Sequence, residues 1–215
     1  MKRQLYNFII KHGIRAMQRL FPEYFANQPL EATDRYIEYN FVMRNLPPLP
    51  ATILDVGCAG SYFPLILAGA GYKVRGIDIR PYPLELDNFT FCDSNVLNCA
   101  WHTNPVDIAI CVSTLEHIGI GGRYGVMEDL CADKKAVDII MKLCNKAIFT
   151  IPFGKHKIIR PDTRIYDYND INALFMGYKF RAEFWTDHGH WKKSLPIEKD
   201  VDNYNYDLAC LVVEK

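Results

Sequence analysis

The chain has 215 residues, 49% of them apolar and 23% charged, with 25 lysines and arginines balanced by 25 aspartates and glutamates. That composition is globular and long enough to bury a full core, which excludes a disordered chain and a small domain stapled by disulfides or metal. A zero formal charge also removes the global basic surplus that marks a nucleic-acid binder.

Cys58, Cys92, Cys99, Cys111, Cys131, Cys144 and Cys210 are odd in number and form no C-x-x-C pair. They read as buried free thiols in a reducing cytoplasm, not as a disulfide framework or a zinc site. No signal peptide is recognisable. "LYNFIIKHGI" is interrupted by Lys11 and His12 and falls far short of the ~20 apolar residues a membrane span needs. The expected location is cytoplasmic.

In chain order, residues 1–22 are basic and amphipathic. Lys2, Arg3, Lys11, Arg15 and Arg19 precede the first acid, Glu23, and Leu5, Phe8, Ile9, Met17, Leu20 and Phe21 form an approximate helical stripe. This predicts a helix whose basic face is either solvated or rests on an anionic membrane surface or lipid-linked substrate. A second helix is predicted over 33–46, capped by Thr33 or Asp34 and stopped by the prolines of "PPLP". Residues 1–50 are therefore expected to be an N-terminal helical extension and 51–215 the main domain.

From Ala51 strands and helices alternate. "TILDVG" is a strand, "SYFPLILAGAG" a helix, "YKVRGIDI" a second strand, "NFTFCDS" a third and "VDIAICVS" a fourth. Val137, Ile140, Met141 and Cys144 are spaced for a helix, "KAIFTIPFG" is a fifth strand and "DYNDINALFMG" a helix. The alternation predicts an α/β fold with a doubly wound, Rossmann-like and mostly parallel sheet. "YKFRAEFW" and "YNYDLACLVVEK" have no helix between them, which predicts an antiparallel C-terminal hairpin at the sheet edge.

In such a sheet ligands sit beyond the carboxyl ends of the strands. There, "ILDVGCAGSYFP" combines Asp55 with a small-residue turn. Aligned as G-x-G-x-x-G, Gly57 is followed by Ala59 and then Tyr62, whose ring would obstruct close helix–sheet packing, so a dinucleotide fits poorly. An acid at the strand end also repels a pyrophosphate and favours an ammonium or another donor. Asp78, 23 residues after Asp55, ends the second strand near the ~20-residue spacing at which an acid reaches ribose hydroxyls. Asp93 ends the third, where it could accept from an adenine amino group.

With "LDVGCAGS", "GIDI", "FCDS" and "DIAICVSTLEHIG", the chain resembles the class I S-adenosylmethionine-dependent methyltransferases over residues 51–215. The family loop D-x-G-x-G-x-G falls on Asp55, Gly57, Ala59 and Ser61. The resemblance implies S-adenosyl-L-methionine as cofactor. It implies that Asp55 and the backbone of Gly57, Cys58, Ala59 and Gly60 hold the methionine part, and that Asp78 holds the ribose. Ile79 would pack on the adenine, Asp93 and Ser94 would meet its amino group, and Ser113 would line the sulfonium side. The chain also resembles a narrower branch with an R-x-x-E-Y helix, here Arg35, Glu38 and Tyr39, and an "EHIGIGGRYG" segment from Glu116 to Gly125. Members of that branch resemble methyltransferases of glycan or small-metabolite biosynthesis.

Methyl transfer to a hydroxyl needs a base, and His117, just after the fourth strand, is the candidate; it could equally be a structural turn residue. The glycines of "GIGGRYG" suggest a lid or a flexible connection, from which Arg123 and Tyr124 could reach the acceptor. Lys155, His156, Lys157, Arg160 and Arg164 make the segment after the fifth strand basic, as a solvated loop or a contact for a phosphate-bearing acceptor. His188 and His190 form H-x-H without a clear third ligand, so no metal site is expected. The expected function is methyl transfer to oxygen or nitrogen of a small molecule or glycan, with nucleic acid disfavoured by charge. The alternatives are a nicotinamide-dependent oxidoreductase and a non-catalytic S-adenosylmethionine-binding module.

Overall fold

A computed structural model describes residues 34–99, 105–122, 124–187, 191–195, 197–202 and 205–215, with isolated positions between 8 and 20. The chain divides into two units, Met1–Thr33 and Asp34–Lys215. In the first, Phe8, His12, Gly13, Arg15, Ala16, Arg19 and Leu20 are helical and exposed, with the Phe8 and His12 rings 4.2 Å apart. Of the anticipated apolar stripe, Leu5, Ile9, Met17 and Phe21 lie outside the described residues, as do Arg123, His188 and His190. Among the described residues no helix is long and apolar enough to cross a membrane.

The second unit opens with α1 (Asp34–Asn45), which has Asp34 in its first turn and Arg44 in its last, complementing the helix dipole. Then come β1 (Thr52–Val56), α2 (Phe63–Gly69), β2 (Lys73–Asp78), β3 (Phe89–Asp93), β4 (Ile108–Val112), α3 (Ala132–Leu143) and β5 (Lys146–Phe153). A short hairpin, β6 (Lys157–Ile159) and β7 (Thr163–Ile165), precedes α4 (Tyr168–Leu174), β8 (Lys179–Asp187), β9 (Trp191–Ser194) and β10 (Asp207–Glu214).

The main sheet runs β3-β2-β1-β4-β5-β10-β8-β9. β1 to β5 pair in parallel, and β10 is antiparallel to both β5 and β8. The Rossmann-like, mostly parallel architecture with an antiparallel C-terminal part is therefore present. Its detail differs from the sequence reading: the last strand inserts between β5 and β8, and the edge hairpin is β8 with β9. Seven consecutive residues of β10, Asp207 to Val213, are buried, the signature of a strand covered on both faces.

Strand alternation splits the core into two layers. Leu54, Ala109, Cys111, Phe149 and Leu211 join the cluster built on Val137, Ile140 and Met141 of α3 and Ile171 of α4. Ile53, Ile110, Ile148 and Val212 alternate with these and are also buried, as are Phe41 and Val42 of α1, which packs on β5 and β10. Asp55 and Thr150 share this second face. The chain winds outward from β1 through β2 to β3, then returns to place β4 on the other side of β1. That reversal opens the crevice at the carboxyl ends of β1 and β4.

Candidate active site at the carboxyl ends of the parallel strands

Every described candidate residue lies at one edge of the sheet. Asp55 is the penultimate residue of β1 and is buried. Burial, and then the charge of Asp78, push its carboxyl up to about 7, with no hydrogen bond opposing the shift. The turn that follows needs glycine. Gly57 has φ +78°, and a Cβ there would stand 2.2 Å from Thr114. Its N–H donates to Ile77 O at 2.8 Å, tying the turn to β2. The Cys58 side chain is buried and points at Gly76, so Cys58 offers the crevice only its backbone.

Asp78 is paired in register with Asp93. Its Oδ2 accepts from Ala59 N at 2.9 Å and Arg80 Nη2 at 3.0 Å, and its Oδ1 from Arg80 N at 2.9 Å and Nε at 3.1 Å. Arg80 also donates to Ala59 O at 2.6 Å, clamping the end of β2 to the small-residue turn. The sequence reading passed over Arg80; its signal was the cation two residues after the acid in "GIDIR". Ile79 is 38% exposed, an apolar side chain presented at this edge. Asp93 is exposed, and Ser94 donates its N–H to Asp78 O.

α1 closes the other side. Glu38 is fully buried and accepts at Oε1 from Ser113 Oγ at 2.5 Å and Thr150 Oγ1 at 2.6 Å, and at Oε2 from Arg35 at 2.5 Å. Burial pushes the Glu38 carboxyl up against the opposing pull of Arg35. Ser113 sits at φ +41°, a backbone region uncommon for a residue with a Cβ and frequent at functional sites. Its hydroxyl is thus committed to Glu38. Tyr39 stacks on Phe63 at 4.1 Å and hydrogen-bonds Ser61 at 2.8 Å, so the R-x-x-E-Y residues reach β4, β5 and the β1 turn together. Glu38→Ala would strand Arg35 and two hydroxyls; we expect a loss of about 3–5 kcal/mol in urea unfolding.

His117 lies in a one-turn 3₁₀ segment, Leu115–His117, directly after β4. Its Nδ1 is 2.6 Å from Asp162 O in the β6–β7 turn. Because a carbonyl only accepts, that contact assigns the proton to Nδ1 and leaves Nε2 as the basic nitrogen of the neutral ring. The same turn is held from below, where Tyr166 donates to Leu115 O at 3.3 Å and Arg164 pairs with Asp133 at 2.7 Å.

The basic segment is exposed at Lys155, His156 and Arg160 and buried at Arg164. Part of it forms β6 and β7, and four of its five basic side chains have acidic partners: Arg164 with Asp133, Arg160 with Glu128, Lys157 with Asp200 and His156 with Asp170, while Lys155 is exposed. In the glycine-rich segment, Gly119 serves a close approach. At φ +84°, its Cβ position lies 2.0 Å from Asp129 O. Among the described residues no group of His, Cys, Asp or Glu is arranged to hold a metal ion.

A buried carboxyl without a hydrogen bond, a turn of small residues, a second acid one strand over that is held by Ala59 and Arg80, and an exposed isoleucine beyond it fit a cofactor carrying an ammonium, a ribose and a flat base. They fit a pyrophosphate badly.

Comparison with known proteins agrees. Residues 54–142 match the family model described as "Methyltransferase domain". A sequence search of curated proteins found no match. Among solved structures, the 1,6-didemethyltoxoflavin-N1-methyltransferase of Burkholderia thailandensis is 12% identical with a TM-score of 0.58, over 99% of this chain and 90% of that one. The magnesium protoporphyrin IX methyltransferase of Synechocystis PCC 6803 with bound S-adenosylhomocysteine is 13% identical with a TM-score of 0.56, covering 100% of both chains. YcgJ of Bacillus subtilis is 10% identical with a TM-score of 0.61, over 84% of this chain and 98% of that one. At such identities the likeness establishes the fold, and the family match adds the chemistry. Residues 54–142 match a methyltransferase domain, and the chain shares the fold of solved methyltransferases, some of them crystallised with S-adenosylmethionine or S-adenosylhomocysteine.

Proposed function

We propose that residues 51–215 form the catalytic domain, with residues 1–50 as its extension, and that the enzyme methylates oxygen or nitrogen of a small molecule or glycan. The observation that carries this reading is the buried Asp55 carboxyl beside the Gly57–Gly60 turn. It is an anionic position suited to an amino-acid-bearing cofactor.

When bound, S-adenosylmethionine supplies a methyl group on a positively charged sulfur. Asp55 receives the cofactor's ammonium, and the backbone of Gly57, Cys58, Ala59 and Gly60 receives its carboxylate end. Asp78 takes the ribose hydroxyls, Ile79 covers the adenine face, Asp93 and Ser94 take the adenine amino group, and Ser113 borders the sulfonium. The chain's task is then to hold an acceptor in line and exclude water, and to take a proton where the acceptor carries one. His117 Nε2 takes that proton, with Nδ1 anchored on Asp162. A cytoplasmic location agrees with seven free thiols, and the basic residues of segment 1–22 suit an anionic surface bearing a lipid-linked acceptor.

Release of S-adenosylhomocysteine across a panel of glycans and small metabolites tests the activity. His117→Ala is expected to lower kcat about 100-fold and leave S-adenosylhomocysteine affinity unchanged. Undiminished turnover at saturating acceptor would remove His117 from the mechanism. Asp78→Ala is expected to weaken S-adenosylhomocysteine about tenfold or more by calorimetry, as the loss of a charge-assisted pair of hydrogen bonds should.

A further inference from the structure

Glu116 precedes His117 in the turn after β4. It is only 3% exposed, its Oε2 has no hydrogen-bond partner, and its Oε1 lies 3.7 Å from His117 Nε2. Buried carboxyl oxygens are rarely left unmatched, because desolvation is costly without a compensating donor.

Among the described residues none donates to that oxygen. The titratable and charged groups that Glu116 senses are Asp34, Arg35 and Glu38 of α1, Cys111 of β4, Tyr166 of β7 and Tyr206 ahead of β10, besides His117 beside it. Most of these are committed elsewhere. Arg35 holds Glu38 at 2.5 Å, the Tyr206 hydroxyl donates to Asp34 at 2.7 Å, and the Tyr166 hydroxyl donates to Leu115 O. Among the described residues Glu116 therefore shares its surroundings with two other carboxyls and one guanidinium, and burial pushes its own carboxyl up to about 8, a shift that a positively charged donor at the unpartnered Oε2 would reverse. Glu116 follows by three residues Ser113, which comes directly after β4 and is proposed to border the sulfonium.

We propose that Glu116 is the acceptor-binding carboxylate and that the methyl acceptor is an amine, bound as its ammonium form, such as an amino sugar or an alkylamine. This rests on the proposed methyl-transfer site. An acceptor presenting a carboxylate or phosphate here would meet Glu116, Glu38 and Asp34 with like charge. A neutral alcohol could donate to Glu116 but would bring no charge.

The step balances. The ammonium gives one proton to His117 Nε2, and the Glu116 carboxylate offsets the imidazolium charge. The freed nitrogen lone pair forms the N–CH₃ bond as the S–CH₃ bond breaks. That bond's electron pair stays on sulfur, which becomes neutral, and the positive charge moves to the methylated nitrogen.

Calorimetry on the full chain saturated with S-adenosylhomocysteine tests this without turnover, using methylamine, glucosamine, glucose and glucuronate as probes. Glucosamine is expected to bind about tenfold or more tighter than glucose, with glucuronate weakest. Glu116→Gln is expected to remove that preference while leaving S-adenosylhomocysteine affinity unchanged. Equal affinity for glucosamine and glucose, a preference for glucuronate, or no measurable binding of either amine would overturn the proposal. If Glu116→Gln does not fold, the ranking of probes by the unmodified chain decides. A chain that fails to bind S-adenosylhomocysteine sinks the site reading itself, a separate outcome from failure of the amine preference.

Discussion

Asp55→Asn is expected to stabilise the ligand-free protein at pH 8 and to weaken S-adenosylmethionine binding about 100-fold. Both effects come from one buried carboxyl. Burial and the Asp78 charge raise it from 3.8 to about 7. A group raised on folding contributes its full stability below its unfolded value and loses it as pH climbs through the folded value. The ligand-free chain should therefore weaken from about pH 4 to about pH 7 and level off above. The displacement corresponds to on the order of 4 kcal/mol, reduced in the variant by the cost of burying an asparagine amide without partners. Urea unfolding at pH 5 and pH 8 should show a larger gain in the variant at the higher pH. The cofactor reverses the sign: its ammonium needs the ionised carboxylate, so the Asp55 contribution to affinity should rise with pH up to about 7 and level off above, and asparagine cannot match that charge. A variant that binds S-adenosylmethionine normally would contradict the assignment of Asp55.

Gly57→Ala should be more damaging than any other single methyl addition in the turn after β1. The residue has φ +78°, and its new Cβ would fall 2.2 Å from two atoms of Thr114. A left-handed conformation costs an ordinary residue roughly 1–2 kcal/mol, and overpacking adds roughly 1–3 kcal/mol. The combined loss, about 2–5 kcal/mol, should appear in urea unfolding together with loss of cofactor binding. Gly60→Ala provides the internal contrast. Gly60 has φ +80°, but its nearest neighbour would be Arg80 Nη1 at 3.4 Å, an ordinary contact. It should lose only the backbone share. Adding Thr114→Gly to Gly57→Ala should recover the steric share and leave the backbone share. Equal losses at Gly57 and Gly60 would contradict the steric argument.

The sheet was legible because its evidence is local. Apolar runs ending in Asp55, Asp78 and Asp93 mark strands and place three acids at one edge. A helix between β1 and β2 signals their parallel pairing, whereas β2 and β3 are joined by a loop over 79–88 and still pair in parallel. The position of β10 was not legible, because no short segment records its neighbours in the sheet. Its unbroken run of buried residues hinted at an interior strand rather than an edge. The basic segment after β5 misled because charges were counted without their partners. Arg164 is buried against Asp133, which lies 31 residues earlier in the chain. Glu38 belonged to a recognisable R-x-x-E-Y pattern, but its meaning depends on Ser113 and Thr150, 75 and 112 residues away. Glu116 stood out in the sequence only as the first residue of the "EHIGIGGRYG" segment. Only burial reveals an oxygen with no partner.

Isothermal titration of the full chain with S-adenosylmethionine and, separately, with NAD tests the central claim most directly. Saturable binding of S-adenosylmethionine, abolished or strongly weakened by Asp55→Asn, with no binding of NAD, is the predicted result. Binding of NAD without binding of S-adenosylmethionine would contradict the assignment of this edge.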